Sequence, residues 1–127
     1  MICLTEIRDL LAAQVYTCEQ SLSNVQIQFG CASDLMSDVL AFSRAGAVLL
    51  TGLVHLQTLQ TAFIAEISAV VLVRGKRPTK EMMALATERR LPLLSSPYSM
   101  YEACGILYNK GLVSTMEPVP RGEHHAG

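Results

Sequence analysis

Residues 69–75 read Ala-Val-Val-Leu-Val-Arg-Gly, an unbroken apolar run closed by a charge and a glycine. A strand with one wet face alternates apolar and polar side chains. A run without polar interruption, rich in β-branched valine, predicts a strand covered on both faces, as in a parallel sheet. The pattern recurs on either side. Ala47 to Leu50 is an apolar strand stopping at Thr51-Gly52, Ile27 to Ala32 is strand-like, and Leu91 to Leu94 is a fourth apolar segment. Their starts repeat at about 22 residues, the length of one strand, one helix and two short turns.

The segments between these strands carry a helical period. Leu35, Val39 and Phe42 share one face after Ser33-Asp34, which offers an N-cap, and Gly46 stops that helix. A second helix runs from about His55 to Glu66. Pro78-Thr79 opens a third, with Met82, Leu85, Ala86 and Arg89 in phase. Met100, Cys104, Leu107 and Tyr108 form the stripe of a last one. Ahead of the repeat, Thr5 caps a helix reaching Ala13, in which Ile7, Leu10 and Leu11 share a face. Gln14 to Cys18 reads as a short strand and Glu19 to Asn24 as a polar connection.

Right-handed crossovers lay such successive strands side by side. The expected fold class is α/β, a layered domain with a mainly parallel sheet built from successive strand-helix units. Residues 1–116 form this domain. Residues 117–127, from Glu117 to Gly127, are rich in proline, glycine and charge and read as a mobile tail.

The chain has 127 residues, 50% of them hydrophobic, enough for one core and too few for two. Ten basic and eleven acidic residues leave a formal charge of −1, and no basic cluster is interleaved with aromatics. That speaks against nucleic acid as a partner. No stretch reaches the roughly 18 apolar residues of a membrane span. The N-terminus lacks the basic start, long apolar middle and cleavage site of a secretory leader. No membrane association is expected, and the location expected is cytoplasmic. Cys3, Cys18, Cys31 and Cys104 form no CxxC pair and no metal-ligand spacing, and read as reduced thiols buried as small hydrophobes. The mean hydropathy of +0.33 is high for a soluble chain. It predicts apolar surface covered by a second copy, a homodimer, or by another protein.

In a parallel sheet all carboxyl ends lie on one edge, where open α/β folds bind ligands. Those ends deliver Ser33 and Asp34, then Thr51 and Gly52 with His55 one turn on, then Arg74 and Gly75, then Ser95, Ser96 and Ser99. Helix starts beside them present unpaired N–H groups and partial positive charge, suited to an anion. Each residue also has a structural reading. Ser33, Asp34, Ser96 and Thr79 are good N-caps, Gly52 and Gly75 end strands, His55 suits a structural role, and Arg74 a solvated edge.

Catalytic signatures are missing. Gly75-Lys76 is followed by Arg77-Pro78, and the glycine that a P-loop needs five positions earlier is Val70. There is no GxGxxG, no GxSxG and no carboxylate pair placed for acid–base work. His124-His125 could take a metal adventitiously, with nothing nearby to complete a coordination shell.

Three runs carry a family resemblance: GCASDLMSDVLAFSRAGAVLLTG from Gly30, SAVVLVRGKRP from Ser68, and RRLPLLSSPYSMYEACGILYNKGL from Arg89. Together they resemble the DRTGG domain, over about Thr5 to Leu112. That regulatory module occurs in some phosphotransacetylases, beside CBS-domain pairs, and as small stand-alone proteins encoded near iron-only hydrogenases. The last run is also similar to the end of the N-terminal domain of HPr kinase/phosphorylase, without that enzyme's kinase core. One departure stands out. Where the family has its namesake Asp-Arg-Thr-Gly-Gly, this chain reads Asn24 to Gly30, keeping only the final glycine.

The function expected is a non-catalytic regulatory module, with no resident cofactor or metal and no kinase activity. It would sense a small anionic or nucleotide-like ligand, a nucleotide or phosphorylated metabolite, lined by Ser33, Asp34, Thr51, Gly52, His55, Ser95, Ser96 and Ser99. The alternative is a docking or assembly accessory without a ligand, for example a hydrogenase-associated one. An enzyme of phosphoryl transfer ranks third, since only His55 and Arg74 could clamp a transferring group.

Overall fold

A computed structural model describes residues 1–121; the remainder of the expected tail, with His124 and His125, lies outside the described residues. The chain opens with β1 (Ile2–Cys3), α1 (Leu4–Leu10), β2 (Gln14–Thr17), a 3-10 helix (Glu19–Asn24) and β3 (Gln26–Ile27). It continues through β4 (Phe29–Ala32), α2 (Met36–Phe42), β5 (Ala47–Thr51), α3 (Leu56–Ile64), β6 (Ala69–Leu72) and α4 (Lys80–Glu88). It closes with β7 (Leu93–Ser95), α5 (Met100–Asn109) and β8 (Val113–Ser114).

Six strands form one sheet in the order β2-β7-β6-β5-β4-β8. Strands β4 to β7 lie side by side in parallel, as their repeated apolar runs predict, and β8 joins β4 in parallel. Only β2 runs antiparallel, against β7. β1 and β3 make a separate antiparallel pair.

The unbroken apolar runs divide between two cores. Val48, Leu50, Ala69, Val71, Val73 and Leu94 pack with Ile7 and Leu11 beside α1 and with Ala103 and Leu107 of α5. Ala47, Leu49, Val70, Leu72 and Leu93 pack with Val39 of α2, Leu59 and Ala62 of α3, and Met82 and Ala86 of α4. Alternate residues of one strand therefore feed opposite helical layers, so the central strands carry runs without polar interruption until their carboxyl ends. Removing such a side chain, as in Leu49→Ala, should cost about 2–5 kcal/mol.

Four helices end alike. After α1, α3, α4 and α5 the residues Ala12, Glu66, Arg90 and Gly111 take φ values of 49°, 56°, 58° and 91°. Each donates to the carbonyl three residues back, and the next residue donates to the carbonyl five back, as Ile67 does to Ala62 and Leu91 to Ala86. This is the Schellman ending, and Ile67, Leu91 and Leu112 bury the apolar residue that accompanies it.

Several local expectations are corrected. Thr5 does not cap α1, because the helix begins at Leu4, whose N–H is already taken by Val25 O at 2.9 Å. Ser33 and Asp34 do not cap α2; its N-cap is Leu35, without a side-chain bond, because both polar side chains bond elsewhere. Leu35 and Phe42 are exposed, and Met36 with Val39 forms the buried face. Tyr108 lies outside the buried stripe of α5 at 74% exposure, where Ala103 and Leu107 point inward.

Candidate functional site

Strands β4 to β7 end on one edge, and each end is held differently. After β4, Ser33 Oγ accepts the N–H of Leu35 at 3.0 Å, a local hydroxyl turn. Asp34 turns toward β5. Its Oδ1 accepts the N–H of Gly52 at 2.6 Å and the hydroxyl of Thr51 at 3.0 Å. Thr51 is buried, and its oxygen also accepts the N–H of Leu53 at 3.2 Å.

After β6 come two left-handed residues in succession, Arg74 at φ +60° and Gly75 at +66°. Their N–H groups donate at 2.8 Å to Tyr98 O and Ser96 O in the turn after β7. The same backbone course lays the Arg74 guanidinium over Gly52. A Cβ there would lie 2.8 Å from Arg74 Nη2 and 3.5 Å from Asp34 Oδ1, so this glycine answers to close approach. Lys76 Nζ donates to Gly52 O at 2.9 Å. Gly52 is thus bonded at its N–H by a carboxylate, bonded at its carbonyl by an ammonium, and covered by a guanidinium. The one ion pair among the described residues is Arg8–Asp9, so Asp34 and Arg74 flank Gly52 without pairing. Arg77 adds exposed positive charge in the same loop, and Lys80 adds more at the start of α4.

β6 leads to α4 on one face and β7 to α5 on the other, which makes the crevice between their ends the topological switch point. Side chains as well as backbone close that crevice. Ser95 Oγ donates to Lys76 O at 2.5 Å, and Ser96 Oγ donates to Leu11 O at 2.7 Å while accepting the Tyr98 N–H at 3.2 Å. Both serines are buried. His55 and Ser99 are exposed helix caps. His55 Nδ1 accepts from Gln57 at 3.0 Å, and Ser99 Oγ accepts from Glu102 at 3.1 Å.

The eight residues expected at the site therefore fall into three groups. Asp34, Thr51 and Gly52 touch one another. Ser95 and Ser96 brace the switch-point turns from inside. Ser33, His55 and Ser99 each end a local turn or start a helix. Lys76 is not among the residues that the sequence points to, and Arg74 reads there as a solvated edge residue. The signal for both was the density of charge in Arg-Gly-Lys-Arg-Pro-Thr-Lys directly after an apolar strand.

Concave spaces occur elsewhere. A cavity of about 270 Å³ between β4, β5, α5 and β8 is lined by Cys31, Leu50, Cys104 and Leu107. Another, of about 220 Å³, lies across β4 and takes in Ser33, Asp38 and Thr115. A cleft of about 830 Å³ opens at the amino ends of the strands, and Asn24, Val25 and Gln26 of the altered namesake segment line it with Arg89 and Arg90. Among the described residues no three His, Cys, Asp or Glu side chains converge to hold a metal ion, and no helix is long and apolar enough to cross a membrane.

A largely parallel sheet between two helical layers, with charge gathered at its carboxyl edge, defines the class: a layered α/β domain. The DRTGG domain model matches residues 6–109, and the chain belongs to the DRTGG domain family. Among solved structures it is similar to the CBS and DRTGG domains of the regulatory region of Clostridium perfringens pyrophosphatase, complexed with the activator diadenosine tetraphosphate. That match has a TM-score of 0.67 at 17% identity and covers 82% of this chain and 45% of the other. At such identity it shows a shared fold, and this chain spans less than half of that regulatory region. No curated protein matches the sequence.

Proposed function

We propose that the chain is a non-catalytic regulatory module that binds a small anionic or nucleotide-like ligand at the carboxyl ends of its parallel strands. The observation that carries this is the convergence of Arg74 and Lys76 on Gly52. Two cations from one loop converge on a backbone position where no Cβ intrudes, and the exposed Arg77 and Lys80 follow in sequence. A guanidinium held without a carboxylate partner suits phosphate recognition. The nucleotide activator of the pyrophosphatase regulatory region supports the ligand class. Thr51 and Gly52 would form the floor. Ser33, Asp34, His55, Ser95, Ser96 and Ser99 would position that floor and the neighbouring turns.

Titration calorimetry with pyrophosphate, ADP and diadenosine tetraphosphate tests this. Saturable binding to the wild type that is lost in an Arg74→Ala, Lys76→Ala double variant is expected. A flat response to all three ligands would overturn the reading.

A second reading concerns partners, and one observation favours it. Tyr101 at 90% exposure and Tyr108 at 74% stand on the outward side of α5, with exposed Gly105 between them. We infer that this face packs against a second copy of the chain in a cytoplasmic homodimer, with the glycine admitting close helix approach. The docking alternative, for example a hydrogenase-associated accessory, would put another protein on this face instead of a second copy. Sedimentation of the wild type against Tyr101→Glu tests it: a dimer reduced to monomer supports it, and a wild-type monomer refutes it.

A further inference from the structure

Asp34 occupies the site that an anion would take. Its Oδ1 sits 2.6 Å from the Gly52 N–H and 3.0 Å from the Thr51 hydroxyl, the two donors that strand β5 offers at the edge. The Arg74 guanidinium covers the same glycine, with Nη2 2.8 Å and Asp34 Oδ1 3.5 Å from the position of an added Cβ. A carboxylate bound by one backbone N–H and one hydroxyl, with a guanidinium on the same glycine, stands where proteins hold a phosphate oxygen. Asp34 is supplied by the chain itself, from the turn after β4, and it is exposed. Its contacts on this edge are these two donors rather than the start of α2, whose N-cap makes no side-chain bond.

We propose that Asp34 is an internal occupant of the anion site, a carboxylate that competes with the ligand for Gly52 N–H and Thr51 and must be displaced or neutralised for tight binding. The inference rests on the proposed anion site and adds its regulation. A phosphate entering beside Arg74 meets the negative charge of Asp34 at short range. Even with the full screening of water, two like charges about 4 Å apart repel by roughly 1 kcal/mol, equivalent to about a fivefold loss of affinity. The carboxylate therefore sets a threshold: the repulsion grows with the negative charge of the ligand, and only an anion whose contacts with Arg74 and Lys76 outweigh it displaces Asp34. A carboxylate placed to contact ligand hydroxyls would have the opposite effect on removal. The two roles separate with an anion that has no hydroxyl-bearing sugar.

The probe is inorganic pyrophosphate, titrated into the full chain. Asp34→Asn keeps an oxygen in place to accept from Gly52 and Thr51 while removing the charge. Asp34→Ala vacates both donors. Thermal melts of each variant establish that it is folded. Tightening of at least about fivefold in Asp34→Asn, abolished again by Arg74→Ala in that background, is the expected result. If the wild type binds pyrophosphate and both Asp34 variants bind equally or more weakly, the occupant role is overturned and the anion site stands. If the wild type and both variants fail to bind pyrophosphate, the site and the occupant fall together.

Discussion

A Cβ added to Gly52 would sit 2.8 Å from Nη2 of Arg74, closer than real contacts of this kind come. The obstacle is the far end of a flexible side chain, and Gly52 does not have the positive φ that only glycine adopts freely. The guanidinium will therefore move while the backbone stays. Gly52→Ala should change stability by less than about 1 kcal/mol, the range of substitutions that neither open a cavity nor strain the chain. Binding of pyrophosphate should nevertheless fall, because Arg74 leaves its place. Chemical denaturation and calorimetry on the same sample separate the two effects. A large loss of stability would mean that Gly52 serves packing alone.

The fold was legible where burial is two-sided. β6 is apolar at every position, and β5 at all but its last, Thr51, because alternate residues feed different helical layers, and the repeat length follows from the strand-helix unit. What escaped was set by partners distant in sequence. Ile27 belongs with β1 rather than β4, because Gln28 breaks the strand and its N–H bonds Gly46 O. β8 has two residues, both exposed, so no apolar pattern marks it. The edge that carries the site was likewise legible, since strand ends and turns are local features. Which polar side chain reaches which donor was not. Asp34 reads as a cap in sequence and finds Gly52, eighteen residues on, in space.

Ser96 illustrates the same limit and makes a prediction. Its hydroxyl is fully buried and joins Leu11 O, 85 residues away, to the Tyr98 N–H. Ser96→Ala leaves a buried carbonyl and an N–H without that partner, which should lower stability by about 1–3 kcal/mol. Thr17→Val should behave alike, since Thr17 Oγ1 donates to Leu91 O at 2.6 Å and accepts from Leu93 at 2.9 Å. For Ser96→Ala, ligand affinity measured well below the melting temperature should be unchanged. A loss of affinity at full folding would place the serine in contact with the ligand.

The Schellman endings give a prediction of opposite sign. Glu66 and Arg90 hold left-handed conformations that disfavour side chains by roughly 1–2 kcal/mol, while glycine adds about 0.5–1 kcal/mol of unfolded-chain entropy. The first effect is larger. Glu66→Gly and Arg90→Gly should each raise stability by about 0.5 kcal/mol, and Gly111→Ala at φ +91° should lower it by about 1 kcal/mol. Denaturant midpoints of the three variants decide the matter. Destabilisation by both glycine substitutions would show that the side chains contribute more than their backbone strain takes away.

Cys31 and Cys104 line one cavity from opposite sides, β4 and α5. Burial pushes both thiols above their ordinary pKa. The Thr115 side chain partly offsets this at Cys31 through a hydrogen bond, and the charge of Asp38 adds to it; at Cys104 the charge of Cys31 adds to it. A raised folded pKa means that the folded chain holds its proton longer than the unfolded chain as pH climbs. The stability so contributed is complete below the unfolded thiol value of about 8.5 and is lost as pH rises through the folded values. Melting temperature should thus fall above that pH, and less steeply in a Cys31→Ala, Cys104→Ala double variant. Neutral thiols are also poor nucleophiles, so alkylation of both at pH 7 should be slow in the folded protein and fast once denaturant is added. Rapid native alkylation at pH 7, with mass spectrometry locating the label on Cys31 or Cys104, would show instead that this cavity holds a thiolate.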